Sequence, residues 1–304
     1  MQNKELRKKI ENYLYIYEHP GRVVLSKKYP KLQKPIIFVR YLLRNIQNFF
    51  DWRLQTKKSV KYFENVIARH QSLLRRKLGV SNPRLQEQKI TNLKQAIKKL
   101  DGVIIPPGKI FSLWKIVGKP RYEDGYVDGM LLSGGEISEG LGGGLCQLSN
   151  FLYWIFLHSP TEIIERHHHS KDVFPDSGRT LPFGSGATIF YNFVDLKVRN
   201  VSKFPLQIKI WLTDEHLKGQ ILNNGKIMEK IHIFEKNHLF IKKGNKYFRY
   251  NEIFREVQID GKIIKTEEVT TNFAPVLYKV DEEYLQNNNF EVWDIDFTDY
   301  IRLH

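Results

Sequence analysis

The stretch that most constrains this chain is Gly142-Gly143-Gly144-Leu145-Cys146, followed by a run that is apolar on nearly every side. Three glycines in a row suit a sharp turn or a close approach of other groups to the backbone. The run from Gln147 to His158 carries Leu148, Phe151, Leu152, Tyr153, Trp154, Ile155, Phe156 and Leu157. A helix this apolar belongs inside a core. It is too short to span a bilayer, which takes about 20 residues. Ser159-Pro160 then ends it. The fold must therefore wrap around this helix, with the glycine loop at its start.

That arrangement has chemical consequences for Cys146. The start of a helix leaves backbone N–H groups without partners, and the helix dipole favours negative charge there. The ordinary thiol pKa near 8.5 falls to about 3.5–7.5 at such sites, so a lowered value is expected. The loop Gly142, Gly143, Gly144 and Gln147 is expected to offer amides to the oxyanion of a tetrahedral intermediate. The bland alternative is a small cysteine packed at a helix start.

A thiol nucleophile needs a base, and histidine is the usual partner. Glu165-Arg166-His167-His168-His169-Ser170 follows about 20 residues on. In an extended segment His167 and His169 share one face and His168 takes the other. Asp176, Asp195 and Glu165 are the candidates for a group that orients the base. A zinc site is not expected: there is no second cysteine, no H-x-x-x-H spacing, and neighbouring histidines are poor chelators. No cofactor pattern is seen.

The remaining chain reads as an α+β protein. Residues 1–100 read as helical, with amphipathic segments at Val60 to Lys77 and Leu85 to Leu100, broken at Asn82-Pro83 and stopped at Asp101-Gly102. Val103 to Ile105 reads as a strand, Pro106-Pro107-Gly108 as a turn, and 118–144 as loop with short strands. Thr188 to Val198 and Pro205 to Leu212 read as strands. Asn223-Asn224-Gly225, Lys243-Gly244-Asn245 and Asp260-Gly261 read as hairpin turns within an antiparallel meander over about 216–280. The expected organisation is a basic helical region 1–91, a central domain 92–215 and a β-rich extension 216–304.

Charge is unevenly spread. Residues 1–100 hold 24 Lys/Arg and 6 Asp/Glu, a local net of +18 within a chain of +15 overall. Such a region is expected to meet an anionic membrane surface, or else to be a solvated helical face. Nucleic acid is the less favoured partner, because no nucleic-acid-binding signature accompanies the charge. Neither a signal peptide nor an apolar span is seen, so the expected location is the cytoplasm, with peripheral contact at the inner membrane face.

Several ordered segments together resemble the VanW family, named for an accessory protein of some vancomycin-resistance gene clusters. They are Asn92 to Trp114 (NLKQAIKKLDGVIIPPGKIFSLW), Gly142 to Ser149 (GGGLCQLS), Glu165 to Ser170 (ERHHHS), Gly186 to Tyr191 (GATIFY) and Val194 to Asn200 (VDLKVRN). The resemblance implies a role in cell-wall metabolism and a cysteine-dependent L,D-transpeptidase acting on peptidoglycan stem peptides or their lipid-linked precursors. It implies Cys146 as the acyl acceptor, His169 as general base and Asp195 as its orienting group. It places Arg166 and His167 at the substrate, with Arg166 pairing a stem carboxylate. The alternative function is a non-catalytic module that binds wall precursors, with Cys146 as packing.

Overall fold

A computed structural model describes residues 2–21, 29–75, 83–133, 136–173, 175 and 180–295. The chain forms two compact units, 1–51 and 52–304. The first holds two helices, α1 (Gln2–Glu18) and α2 (Gln33–Phe50). In α1, Leu6, Ile10 and Leu14 are buried at a four-residue spacing, which sets them on one face.

The second unit has an α+β fold built from four sheets and four helices among the described residues. The largest sheet orders β1 (Lys57–Lys58), β3 (Val103–Ile105), β9 (Leu206–Leu212), β10 (His216–Asn223) and β2 (Asn65–Leu73). All of its pairings are antiparallel. A three-stranded sheet orders β4 (Ile110–Ser112), β8 (Lys197–Asn200) and β7 (Thr161–Glu165). β5 (Asp128–Ser133) and β6 (Glu136–Leu141) form a hairpin. The fourth sheet orders β13 (Lys262–Pro275), β12 (Lys246–Ile259), β11 (Lys230–Lys243) and β14 (Glu291–Asp294).

The core is centred on α5 (Leu145–Leu157), as its composition predicts. Leu148, Phe151, Leu152, Ile155, Phe156 and Leu157 are all buried. Each such side chain contributes roughly 1.5–3 kcal/mol through the surface it removes from water. α3 (Pro83–Leu100) adds Leu93, Ile97 and Leu100 to the same core. Its first residue is proline, whose missing N–H has no partner to lose at that position. Gly102, at φ 82, ends the segment in a left-handed turn.

Two expectations are corrected. Val60 to Lys77 is not a helix: its middle is β2, paired along its whole length with β10. The alternation of Ala68, His70 and Ser72 carries the pattern. His70 meets the α5 rings Phe151 and Trp154 at 5.2 and 6.4 Å. Pairing with a strand some 150 residues away outweighs a helical spacing of Phe63, Ile67 and Leu74. Thr188 to Val198 is not one strand either. It makes isolated bridges at Thr188, Phe190 and Val194, with a turn between Phe190 and Val194. β10 pairs with β9 in the five-stranded sheet and does not join the β11–β14 sheet.

Two of the three expected turns lie where the glycines predict, whereas Asn223-Asn224-Gly225 does not close a hairpin, since β10 pairs with β9 and β2 and not with β11. Gly244, Asp260 and Gly261 all have positive φ in the β11–β12 and β12–β13 connections. The acidic tail adds α6 (Glu282–Asn287) and β14, which pairs in parallel with β11.

Candidate functional site

The glycine loop is built by close packing. A Cβ on Gly143 would sit 2.0 Å from the Gly129 carbonyl carbon, so only glycine lets β5 pass this near. Gly144 has φ 93 and faces the Lys89 side chain, where a Cβ would come within 2.2 Å. Asn92 of α3 clamps the loop: its amide nitrogen donates to the carbonyls of Val127 at 3.0 Å and Gly143 at 2.9 Å. Its oxygen accepts from the Val127 N–H at 2.9 Å.

These constraints place Cys146 in the first turn of α5. The loop amides are only partly open to a ligand. The Gly142 N–H donates to Val127 at 3.0 Å and the Gly143 N–H to Gly140 at 3.0 Å. Those two amides are committed within the loop and do not reach an oxyanion. Gln147 donates its side-chain amide to Ser72 at 3.0 Å and to the Leu73 carbonyl at 2.7 Å, tying α5 to β2.

A cavity of about 310 Å³ opens at this helix start. Cys146, Gln147 and Asn150 of α5 line it, with His70 and Ser72 of β2. His168, His169, Lys171 and Asp172 line it from the loop after β7, with Phe183 to Gly186. Asn272, Phe273 and Ala274 of β13 supply a further wall. Ser185 Oγ and Asn272 Oδ1 are buried and have no hydrogen-bond partner among the described residues.

The electrostatics reverse one expectation. Burial pushes the Cys146 thiol up, and the Ile189 carbonyl at 3.9 Å only partly opposes it. The residue is half-buried as a whole, and desolvation is the largest influence on its thiol. Burial also pushes the His169 imidazole down, helped by Arg166 and His168 and opposed by Asp172. His168 is lowered by burial and by Arg166 and His167. The resting site thus favours a neutral thiol beside neutral imidazoles.

The other residues singled out in the sequence take separate positions. His167 is exposed, pairs with Thr188 in a bridge, lies 3.6 Å from Glu165 and does not line the cavity. Strict alternation therefore fails: the adjacent His168 and His169 both line the cavity. Arg166 is occupied. It donates from Nε to Gly186 at 2.8 Å, from one terminal nitrogen to Thr270 at 3.2 Å and from the other to Gly184, and it lies over the Tyr153 ring at 4.9 Å. It braces the cavity wall and is spent on backbone carbonyls.

Asp195 accepts from Ser112 at 2.5 Å and from the Trp114 N–H at 3.1 Å, at the start of α4 (Leu113–Val117). It is absent from the cavity lining. Glu165 accepts from the Asp195 N–H at 3.0 Å and lies 3.5 Å from Lys197. Asp176 lies outside the described residues. Asp172 also lines the cavity, and its charge opposes the lowering of the His169 pKa as the smallest of the influences on it. It is held by Arg249 at 3.2 Å and by the Tyr278 hydroxyl at 3.0 Å. The sequence reading missed Asp172, His70 and Asn272. Asp172 sits three residues past His169, a proximity that offers a signal; the other two are visible only once distant strands are paired.

Fold and site together define a class: an α+β protein in which a glycine loop delivers a cysteine to a histidine-lined cavity at the start of a buried helix. Residues 88–222 match the family described as VanW like protein. The chain is 34% identical over 199 residues to Vancomycin B-type resistance protein VanW of Enterococcus faecalis (strain ATCC 700802 / V583), covering 65% of this chain and 72% of that one. The chain belongs to the VanW family. It is also 29% identical over 118 residues to Uncharacterized protein YoaR of Bacillus subtilis (strain 168), covering 39% of this chain and 37% of that one. No solved structure matches it significantly. The β11–β14 sheet lies beyond the family match, yet it supplies Asn272, Phe273 and Ala274 to the cavity.

Proposed function

We propose that this chain is a cysteine acyltransferase of the L,D-transpeptidase type, acting on peptidoglycan stem peptides or their lipid-linked precursors. The observation that carries this reading is that Cys146 shares one cavity with His168 and His169, whose imidazoles are held neutral and able to take a proton. His169 is the base in this scheme, and Asp172 is its charge partner.

In the first half-reaction the Cys146 sulfur attacks the carbonyl carbon of a stem peptide bond, and the thiol proton passes to His169. The C–N bond then breaks, and the leaving amine of a terminal D-amino acid takes that proton. A thioester on Cys146 remains. In the second half-reaction the amine of an acceptor stem attacks the thioester and gives a proton to His169, which returns it to the departing sulfur. Because the thiol begins neutral, proton transfer accompanies attack. Lys171 supplies a cation for a stem carboxylate, the role the resemblance assigned to Arg166. The name of the Enterococcus relative supports a role in vancomycin resistance through these precursors.

The raised thiol favours a second reading, in which the cavity holds wall precursors without turnover. Mass spectrometry after incubation with tetrapeptide and pentapeptide stems separates the two. Acyl transfer predicts an adduct on Cys146 that Cys146→Ala lacks. Binding of the stem with no adduct in either protein overturns catalysis and leaves the binding module.

A further inference from the structure

The search leads away from Cys146 to the N-terminal unit. Helix α2 presents Phe38, Val39, Leu42, Leu43, Ile46, Phe49 and Phe50 to solvent. At 100° per residue these seven fall within one stripe of about 140°. Phe38, Phe49 and Phe50 are 66%, 81% and 74% exposed. Tyr41, Arg44 and Asn48, which are less exposed, lie opposite, where Ile37 is the one apolar residue exposed, at 38%. The stripe is therefore the outward face of an amphipathic helix, and its apolar area is larger than scattered surface residues explain.

Charge decides what covers it. From His19 to Phe50 the chain has seven Lys/Arg and no Asp or Glu. Arg40 is exposed beside the stripe. A second copy of this chain would set two such basic segments together, so self-association is disfavoured. A polynucleotide would satisfy the charge but leave seven apolar side chains unburied. An anionic bilayer satisfies both: the acyl boundary takes the stripe, and lipid phosphates take the basic residues. The helix has 18 residues, about 27 Å of length, and carries cations within it. Among the described residues no helix is long and apolar enough to cross a membrane. We infer that α2 is an interfacial anchor that lies flat in an anionic lipid surface, with its 38–50 stripe buried among acyl chains. This anchoring does not depend on the chemistry at Cys146.

The test is vesicle flotation of the full chain at physiological salt. Vesicles of phosphatidylcholine alone are compared with vesicles of equal parts phosphatidylcholine and phosphatidylglycerol. The protein is expected to float with the anionic vesicles and to bind them at least about tenfold more tightly than the neutral ones. The triple variant Phe38→Ser, Leu42→Ser, Phe49→Ser keeps every charge and changes only exposed side chains. It is expected to lose at least about tenfold of that binding, with an unchanged circular dichroism spectrum. No flotation, equal binding to both vesicle types, or binding untouched by the triple variant overturns the inference. So does stripe-dependent dimerisation without flotation, or duplex DNA competing the protein off the anionic vesicles.

Discussion

The side chain of Asn92 and the carbonyl of Gly143 are joined by a 2.9 Å hydrogen bond across 51 residues of chain. The same amide holds Val127 through two further bonds, so one α3 residue fixes both the entry to β5 and the loop ahead of Cys146. Replacing it with alanine leaves buried backbone groups without partners. Asn92→Ala is expected to cost about 2–4 kcal/mol, read as a lower urea midpoint with an unchanged slope.

Gly143→Ala is expected to be worse still. The added Cβ meets backbone at 2.0 Å, and backbone yields far less readily than a side chain. A loss above about 4 kcal/mol, or failure to fold, is expected. Gly108→Ala is the control. Its Cβ would meet nothing within 4 Å, and only its φ of 71 resists. Thermal denaturation should show a loss of about 1 kcal/mol for that variant.

Arg249 is fully buried and pairs with Asp172, itself nearly buried. Arg249→Met leaves a buried carboxylate uncompensated, at a cost of about 3–5 kcal/mol. Adding Asp172→Asn removes that charge and should recover part of the loss. A double-mutant cycle by chemical denaturation measures the coupling. Purely additive effects would mean that the pair does not act as a unit.

The two ionisable partners at the site predict different pH behaviour. Burial raises the Cys146 pKa above that of an ordinary thiol, so iodoacetamide alkylation should be slow near pH 7 and reach its midpoint at a higher pH than that of a free cysteine measured beside it. A midpoint below pH 8 would indicate the activated thiolate expected from helix position alone. His169 behaves in the opposite sense. Its folded pKa lies below the ordinary 6.5, so above pH 6.5 both folded and unfolded chains carry it neutral. As pH falls below 6.5 the unfolded chain gains a proton that the folded chain resists, and stability declines. His169→Gln should lessen that decline between pH 6.5 and pH 5, measured by urea midpoints, with the remainder carried by His168 and His158, whose pKa values burial also lowers.

How much of this was legible depends on how far apart the interacting residues lie. The α5 helix reads directly from Leu148 to Leu157, because neighbours in sequence are neighbours in the helix. The turns at Gly244 and Asp260-Gly261 read for the same reason. β2 does not, because Ala68, His70 and Ser72 acquire meaning only against β10 and α5. The site follows the same rule. Cys146 and the histidine run are visible as local patterns. That Asp195 serves Ser112 and Trp114, while Asp172 is held at the cavity by Arg249 and Tyr278, depends on contacts across more than 75 residues of chain.

By itself, the sequence determined the buried helix, the glycine loop that introduces it, the family and the uneven distribution of charge. Each is a property of contiguous residues: apolar periodicity, the absence of a Cβ, or the identity of a motif. The tertiary structure alone decided which histidines reach the cavity, that Arg166 is spent on the wall, and that Cys146 begins as a neutral thiol. Those outcomes turn on solvent exclusion, and water is excluded by side chains brought together from β2, α5, the loop after β7 and β13. No single segment carries that information.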